Sequence, residues 1–355
     1  MVGWRRMGLI GIALCGLVVL PSCGPRGRAP GMPTPLGNGW RVLRRVPLQG
    51  DSSRRAVTPS SGTVIGGQLV LSDTECRCIR LYDRVTGRLL RRIGDSTVFR
   101  FPYDLGAWAP GRFAVLDTNS IQVWDTTGRR ERVVRVPAVM TALTEGGTGA
   151  GVVVAGYLRE GTEWKVGPDS LMSVLHDVDQ AGQVRRSYRS ISIANRGVDA
   201  RQVYLRNFAV ATTDTTVASG IYSADTLWIY DRRTGTETRL PVSYPGYHPP
   251  EYPSDSVFEQ LPGGSNRARM EYWRRRQILL VRLHALPGAR WLVGFQESDT
   301  AGVRRHVWVE VGPRGRRTVT GPTSAVAYRT RGDTVWVVDH AAGAWEIQEW
   351  LAPRW

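Results

Sequence analysis

Three aspartates recur in one setting. Asp73, Asp117 and Asp339 each close a short apolar run: Leu69-Val70-Leu71-Ser72-Asp73, Phe113-Ala114-Val115-Leu116-Asp117 and Val335-Trp336-Val337-Val338-Asp339. His340 follows the last of them. Carboxylates gathered from distant stretches could hold a hard cation such as calcium, which takes several oxygen ligands. The same side chains can instead cap their own turns by accepting backbone N–H groups, and their recurrence in a repeated unit favours that local role. His176, His248, His284 and His306 sit in unlike contexts, with no His-x-x-x-His or His-Glu-x-x-His spacing. No Gly-x-Ser-x-Gly elbow, phosphate loop or dinucleotide fingerprint stands between a strand and a helix. Cys76 and Cys78 are two apart in a turn, which leaves two turn thiols or a strained local bridge, and no other Cys or His nearby to complete a metal site.

The elements that carry these residues are strands in a repeat. The first clear copy runs from Gly67 to Thr74, then Ile79-Arg80-Leu81-Tyr82-Asp83, then Gly87 to Ile93. The second runs from Gly111 to Thr118, then Ile121-Gln122-Val123-Trp124-Asp125, then Gly128 to Val136. A fixed period of tens of residues built from strand-like pieces indicates a propeller or a solenoid. Five four-stranded units are expected near 56–94, 100–137, 140–189, 205–241 and 279–320, and a sixth from Ala325 stops one strand short. Trp40 to Leu48 reads like the fourth strands of the other units and supplies the missing one. An N-terminal strand closing the last blade removes the exposed sheet edge. The expected fold is all-β, a six-bladed β-propeller of four-stranded antiparallel blades spanning 40–355. Asp83, Asp125, Asp179 and Asp231, each followed by a glycine, are expected to shape the turn before the fourth strand.

The order Gly-x-apolar-Val-x-Asp-Thr, Ile-x-Val-aromatic-Asp, Gly resembles the six-bladed β-propellers of the NHL-repeat type. Phe101 through Asp125 matches best. The resemblance covers most of the chain and is sharpest in the first two units. Related six-bladed folds include calcium-dependent lactonases and metal-dependent lyases with a metal on the axis, so it implies either a binding scaffold or a metal-dependent propeller hydrolase or lyase with an axial site.

In such a blade the second-to-third turns and the links between blades open on one face. The extra lengths near 156–170 and 296–305 fall in two of those turns, and those at 189–205 and 242–277 fall in two of those links. All four therefore crowd one face, while the opposite turns stay minimal. Loops grow where function selects for them. The insertion 242–277 holds an aromatic, Pro-rich arm with Tyr247, His248 and Tyr252, then a helical stretch with Arg274. It reads either as a lid over the channel or as a packed excursion covering a blade edge. Asp73, Asp117, Asp339 and His340 are the candidate residues of that axial face.

Met1 to Cys23 reads as an address. Arg5 and Arg6 precede an apolar stretch from Gly8 to Leu20, too short for a helix to span a bilayer core of ~30 Å. Leu20-Pro21-Ser22-Cys23 resembles a bacterial lipobox, which implies cleavage after residue 22 and lipid attachment to Cys23. An ordinary secretory leader or an uncleaved anchor is the alternative. Residues 23–39, rich in Gly and Pro, are then a tether. The expected location is the bacterial cell envelope, with the membrane held through Cys23 and the outer membrane favoured, facing periplasm or exterior. The expected partner is an envelope protein, a peptide or a glycan. The formal net charge of +16 comes from 47 basic residues, of which only Lys165 is lysine. Without Arg5 and Arg6 it falls to +14, a field that favours anionic partners. No run of five basic residues and no aromatic-basic interleaving points to specific nucleic-acid binding.

Overall fold

Short apolar runs, continuous in the inner strands and interrupted by Asp and Gly, give the chain short strands and tight turns. The structure is a computed structural model. It describes residues 36–49, 59–136, 138–146, 151–160, 163–165, 171–192, 208–221, 224–248, 250, 253–298, 303–341 and 344–354. The leader, Cys23, the tether up to residue 35 and Tyr252 lie outside the described residues, as does most of the link 189–205. The last tether residues, 36–39, are packed rather than free, with Leu36 against the core of blades five and six and the Gly37 N–H donating to the Val319 carbonyl at 2.7 Å. Among the described residues, no helix is long and apolar enough to cross a membrane.

The first strand, β1 (Arg41–Pro47), precedes the blades. Blade one is β2 (Pro59–Ile65), β3 (Gln68–Asp73), β4 (Cys78–Asp83) and β5 (Leu89–Ile93). Blade two is β6 (Pro102–Ala109), β7 (Arg112–Asp117), β8 (Ser120–Asp125) and β9 (Arg130–Arg135). Blade three is β10 (Ala138–Glu145), β11 (Val152–Glu160), β13 (Leu171–Val178) and β14 (Val184–Ser192), with the two-residue β12 (Glu163–Trp164) folded back on β11. Blade four is β15 (Phe208–Thr212), β16 (Thr216–Ile221), β17 (Thr226–Asp231) and β18 (Glu237–Pro241). Two short helices follow, α1 (Asp255–Gln260) and α2 (Asn266–Arg274). Blade five is β19 (Leu279–Leu286), β20 (Arg290–Ser298), β21 (Arg304–Gly312) and β22 (Gly315–Thr323). The last blade is β23 (Val326–Arg331), β24 (Thr334–Ala341) and β25 (Ala344–Leu351), completed by β1.

All pairings within the blades are antiparallel, and each blade meanders in chain order. The N-terminal strand closes the ring as the sequence suggests: β1 pairs β25 from Arg41 opposite Leu351 to Pro47 opposite Glu346. Each first strand touches the first strand of the next blade, and β23 touches β2. The chain is therefore an all-β, six-bladed propeller with the first strands around the axis.

The apolar core is divided among the blade interfaces. Blades one and two share Ile79, Phe99, Phe113 and Trp124. Blades five and six share Trp308, Trp350 and, from the N-terminal side, Trp40. Each of the six interfaces has such a cluster. Inner strands are covered on both faces and read as continuous apolar runs, whereas fourth strands such as β5 and β9 are mostly exposed and carry arginines. Charged outer strands also blunt the unpaired edge of each blade.

The turn aspartates do what their spacing suggests. Asp83 accepts the backbone N–H groups of Val85 and Thr86 at 2.9 and 2.7 Å, and Asp231 those of Arg233 and Thr234 at 2.8 and 2.6 Å. Such turn hydrogen bonds, led by the Thr86 and Thr234 N–H groups at Asp83 and Asp231, the Thr127 hydroxyl at Asp125 and the Gln183 N–H at Asp179, hold these carboxyls below the usual range. Gly87 completes the first such turn at φ +70°, and a Cβ there would lie 2.0 Å from the Pro47 carbonyl oxygen. Cys76 and Cys78 form a disulfide with Cα atoms 5.3 Å apart.

Both chain ends are fastened at one buried ionic cluster. Glu310, fully buried, receives Arg290 at 2.9 Å, Arg317 at 2.8 Å and the Trp40 indole N–H at 2.7 Å. Arg290 also donates to the Pro353 carbonyl at 2.8 Å and pairs with Asp333.

Candidate functional site at the axial channel

The six first strands enclose an axial cavity of about 630 Å³. Small and apolar residues form much of its wall, including Gly62, Gly106, Ala142, Ala209 and Ala327. The charged groups stand at two levels, set by where each falls along its strand.

Near the long-loop end is Asp104, on β6. Its Oδ1 receives the Ser61 hydroxyl at 2.6 Å and its own neighbour Leu105 N–H at 3.0 Å, while Oδ2 receives the Leu143 N–H at 2.8 Å. Arg282, on β19, reaches across so that its Nη1 lies 3.8 Å from Oδ1, and it donates to the Ser60 carbonyl. One carboxylate thus ties blades one, two and three to blade five. Burial pushes its carboxyl up, against the pull of Arg282 and the hydrogen bonds. At the opposite end Arg329, on β23, pairs with Glu145, at the end of β10. Blades two and five, and blades three and six, face each other across a six-fold ring, so both pairs span the channel.

Two histidines sit beside Arg282. His284 Nε2 donates to the Ala327 carbonyl at 3.0 Å. His306 stacks on Trp308, with centroids 6.0 Å apart. Burial, reinforced by the Arg282 charge, lowers both rings to about 3. Both are therefore neutral near pH 7, and burial raises the Tyr328 phenol beside them.

The insertion reaches this end of the cavity. Phe258, Met270 and Trp273 bury against one another and give α1 and α2 a small core of their own. Glu271 accepts Arg304 at 3.0 Å and Arg275 at 3.2 Å, which fixes α2 to the start of β21. Arg274 and Arg304 line the cavity.

The residues singled out from the sequence divide. Asp73 accepts the Glu75 and Cys76 N–H groups at 3.0 and 3.2 Å and lies 3.4 Å from Arg80. Asp117 accepts the Arg100 and Phe101 N–H groups and, at 2.9 Å, the Gln122 amide. Asp339 accepts Ser324 Oγ at 2.7 Å, the His340 N–H at 2.9 Å and the Gln348 amide at 3.1 Å. Arg80, Gln122 and Gln348 occupy one repeated position on the third strand. Each carboxylate is thus engaged within its own blade, and none of the three lines the cavity. His340 does line it, edge-on to Trp345 with centroids 5.0 Å apart. Of the lid candidates, Tyr247 is buried against Phe295 at 4.9 Å and His248 is exposed, while Arg274 faces the cavity.

The cavity groups Asp104, Arg282, Arg329 and Glu145 were not anticipated. The available signal was one charge inside an otherwise apolar first strand, as in Val281-Arg282-Leu283.

This geometry has relatives in shape. A Bacteroides fragilis protein described as a candidate exported protein aligns with a TM-score of 0.56 at 10% identity, over 89% of this chain and 96% of that one. The propeller fold is shared. The Pan2 WD40 domain of Neurospora crassa aligns at 8% identity over 84% and 76% of the two chains, with a TM-score of 0.45. The RRP9 WD40 repeats align at 10% identity over 90% and 98%, with a TM-score of 0.47. At such identities the likeness concerns architecture alone. No family model matches the sequence, and no curated protein matches it.

Proposed function

We propose that this chain is an envelope lipoprotein, anchored through Cys23, whose propeller serves as a binding or scaffold module for a protein, peptide or glycan. The long-loop face makes the contact. One observation carries the reading: the largest insertion folds as a separate helical pair beside the channel mouth and contributes Arg274 to the cavity wall. A scaffold turn needs no such structure, and a recognition surface does. The lipobox-like Leu20-Pro21-Ser22-Cys23 supports the anchor, and the NHL-like wording of blades one and two supports that branch of six-bladed propellers.

The alternative, a metal-dependent hydrolase or lyase with an axial calcium, asks for several converging oxygen donors. Among the described residues, the upper channel offers one carboxylate, Asp104, already receiving a hydroxyl, two N–H groups and Arg282. That donor set suits an anion better than a cation.

The test is excision of residues 253–276 with a short Gly-Ser bridge, leaving Tyr244 and Tyr247 in the core they share with Phe295. Intact and excised chains are compared as bait against envelope extracts. Loss of a partner from an excised chain that still folds supports the long-loop face; an unchanged partner set removes it. Substitution of Cys23 by alanine should release the chain from the membrane fraction.

A further inference from the structure

The long-loop mouth of the channel is cationic and only partly satisfied. Arg274, Arg282 and Arg304 stand there with Asp104 as the one carboxylate of the wall at that level among the described residues. Arg304 is held by Glu271. Arg282 is shared between the Ser60 carbonyl and Asp104. Arg274 meets no carboxylate among the described residues, although it stands in the last turn of an ordered helix. A second unspent group lies nearby: His306 Nδ1 is buried and has no hydrogen-bond partner among the described residues. A buried polar nitrogen without a partner is costly unless something else meets it.

We propose that the channel mouth binds a carboxylate group, carried by a small ligand or by the tip of an acidic peptide, between Arg274, Arg282 and His306. This deepens the binding-module reading and rests on it. The arginine forks supply charge-assisted hydrogen bonds in a planar arrangement suited to a carboxylate. The neutral His306 ring adds a hydrogen bond without a further fixed charge. Asp104 already receives the Ser61 hydroxyl and two N–H groups and lies 3.8 Å from Arg282, so it steadies the guanidinium in the cavity wall. The cavity volume admits a few residues of an extended peptide but no folded partner. Low-dielectric walls of small apolar side chains strengthen such pairing over the same arginines on the open rim.

The experiment titrates the full mature chain with triglutamate, with triglutamine of equal length and with inorganic phosphate, by calorimetry at moderate salt. Triglutamate should bind at least about tenfold more tightly than triglutamine, since hydrogen bonds to a charged group are the stronger ones. R274Q should remove most of that preference while leaving the melting temperature unchanged. R275Q, a change at the exposed neighbour that pairs with Glu271, should retain it. Equal binding of the two peptides overturns the proposal, as does an R274Q chain that binds like the parent. Equal losses in R274Q and R275Q would reduce the effect to general surface charge and overturn it too. Phosphate binding as tight as triglutamate would overturn the carboxylate assignment. A partner lost on excision of 253–276, with no triglutamate binding by the intact chain, sinks only this inference; a partner that survives excision sinks the long-loop reading itself.

Discussion

Acidification should unfold this propeller through three histidines. His176 is fully buried on β13, bonded to Ser187 Oγ at 2.8 Å, and burial lowers it to about 4. His284 and His306, beside Arg282, are lowered to about 3. The unfolded chain titrates each near the ordinary 6.5. Because each folded value lies below the unfolded one, the unfolded state binds the proton first. The stability contributed by neutral burial is therefore complete above about pH 6.5 and is lost as pH falls toward the folded values. At about pH 5 each ring costs about 2 kcal/mol, and the three together cost about 6, against a typical total stability of about 5–15 kcal/mol. The slope should approach about 4 kcal/mol per pH unit below about pH 6. Asp104 acts in the opposite sense: its raised carboxyl is a burden when charged, so acidification relieves it and offsets part of the loss. Urea unfolding followed by tryptophan fluorescence at stepped pH measures the slope, and a D104N chain measures it without the offset. H306Q should flatten it by about a third, the share of one proton in three. A slope below one proton per molecule in this window, in both parent and D104N, would refute the burial argument.

Three further outcomes follow from particular contacts. Replacing Glu310 by alanine removes the carboxylate shared by buried Arg290 and part-buried Arg317 and the acceptor of the Trp40 indole, while Arg290 keeps Asp333. It should cost about 3 kcal/mol, read as a lowered urea midpoint; E310Q, which keeps the Trp40 acceptor, should cost less. A double-mutant cycle of D104N and R282Q should give a coupling of about 1–3 kcal/mol, whereas strictly additive losses would show that the channel pair is not an interaction. Substituting Gly87 by alanine forces a Cβ against the Pro47 carbonyl at positive φ and should loosen β1. Limited proteolysis should then cut the N-terminal strand before the rest of the chain.

Blade number and blade limits were legible because four of the six units restate the same turn chemistry, at Asp83, Asp125, Asp179 and Asp231. Asp83 and Asp231 bind the N–H groups that follow them, and that bond is encoded within four residues. The closing strand was legible for the same reason, since Trp40 to Leu48 repeats the arginine-studded pattern of a rim strand. The channel was not. Arg329 and Glu145 are 184 residues apart, and a lone charge in an apolar strand does not name its partner across a ring. The Pro-rich arm left two readings open in sequence, a lid or a packed excursion, and its first part takes the packed one: a turn at Pro245-Gly246, closed by the Tyr247 N–H on the Tyr244 carbonyl at 2.9 Å, folds both rings back onto Phe295. Turn capping, the local role that recurrence favours for Asp73, Asp117 and Asp339, is seen at Asp73. Asp117 and Asp339 instead reach the link before their blade, at Arg100, Phe101 and Ser324, and the third strand at Gln122 and Gln348, contacts that no local spacing encodes.

The pairing of β1 with β25 also sets a schedule. β1 is made first and paired last: Arg41 meets Leu351 only after nearly the whole chain has been synthesised, a wait of about 15–60 s at common ribosomal rates. Any blades folded before then would form an open arc with two unsatisfied ends. Arginine at Arg41, Arg44 and Arg45 keeps that waiting strand charged, which discourages it from pairing with a neighbouring chain. The circle is thus a late, single event, and the first strand must stay soluble until its partner exists.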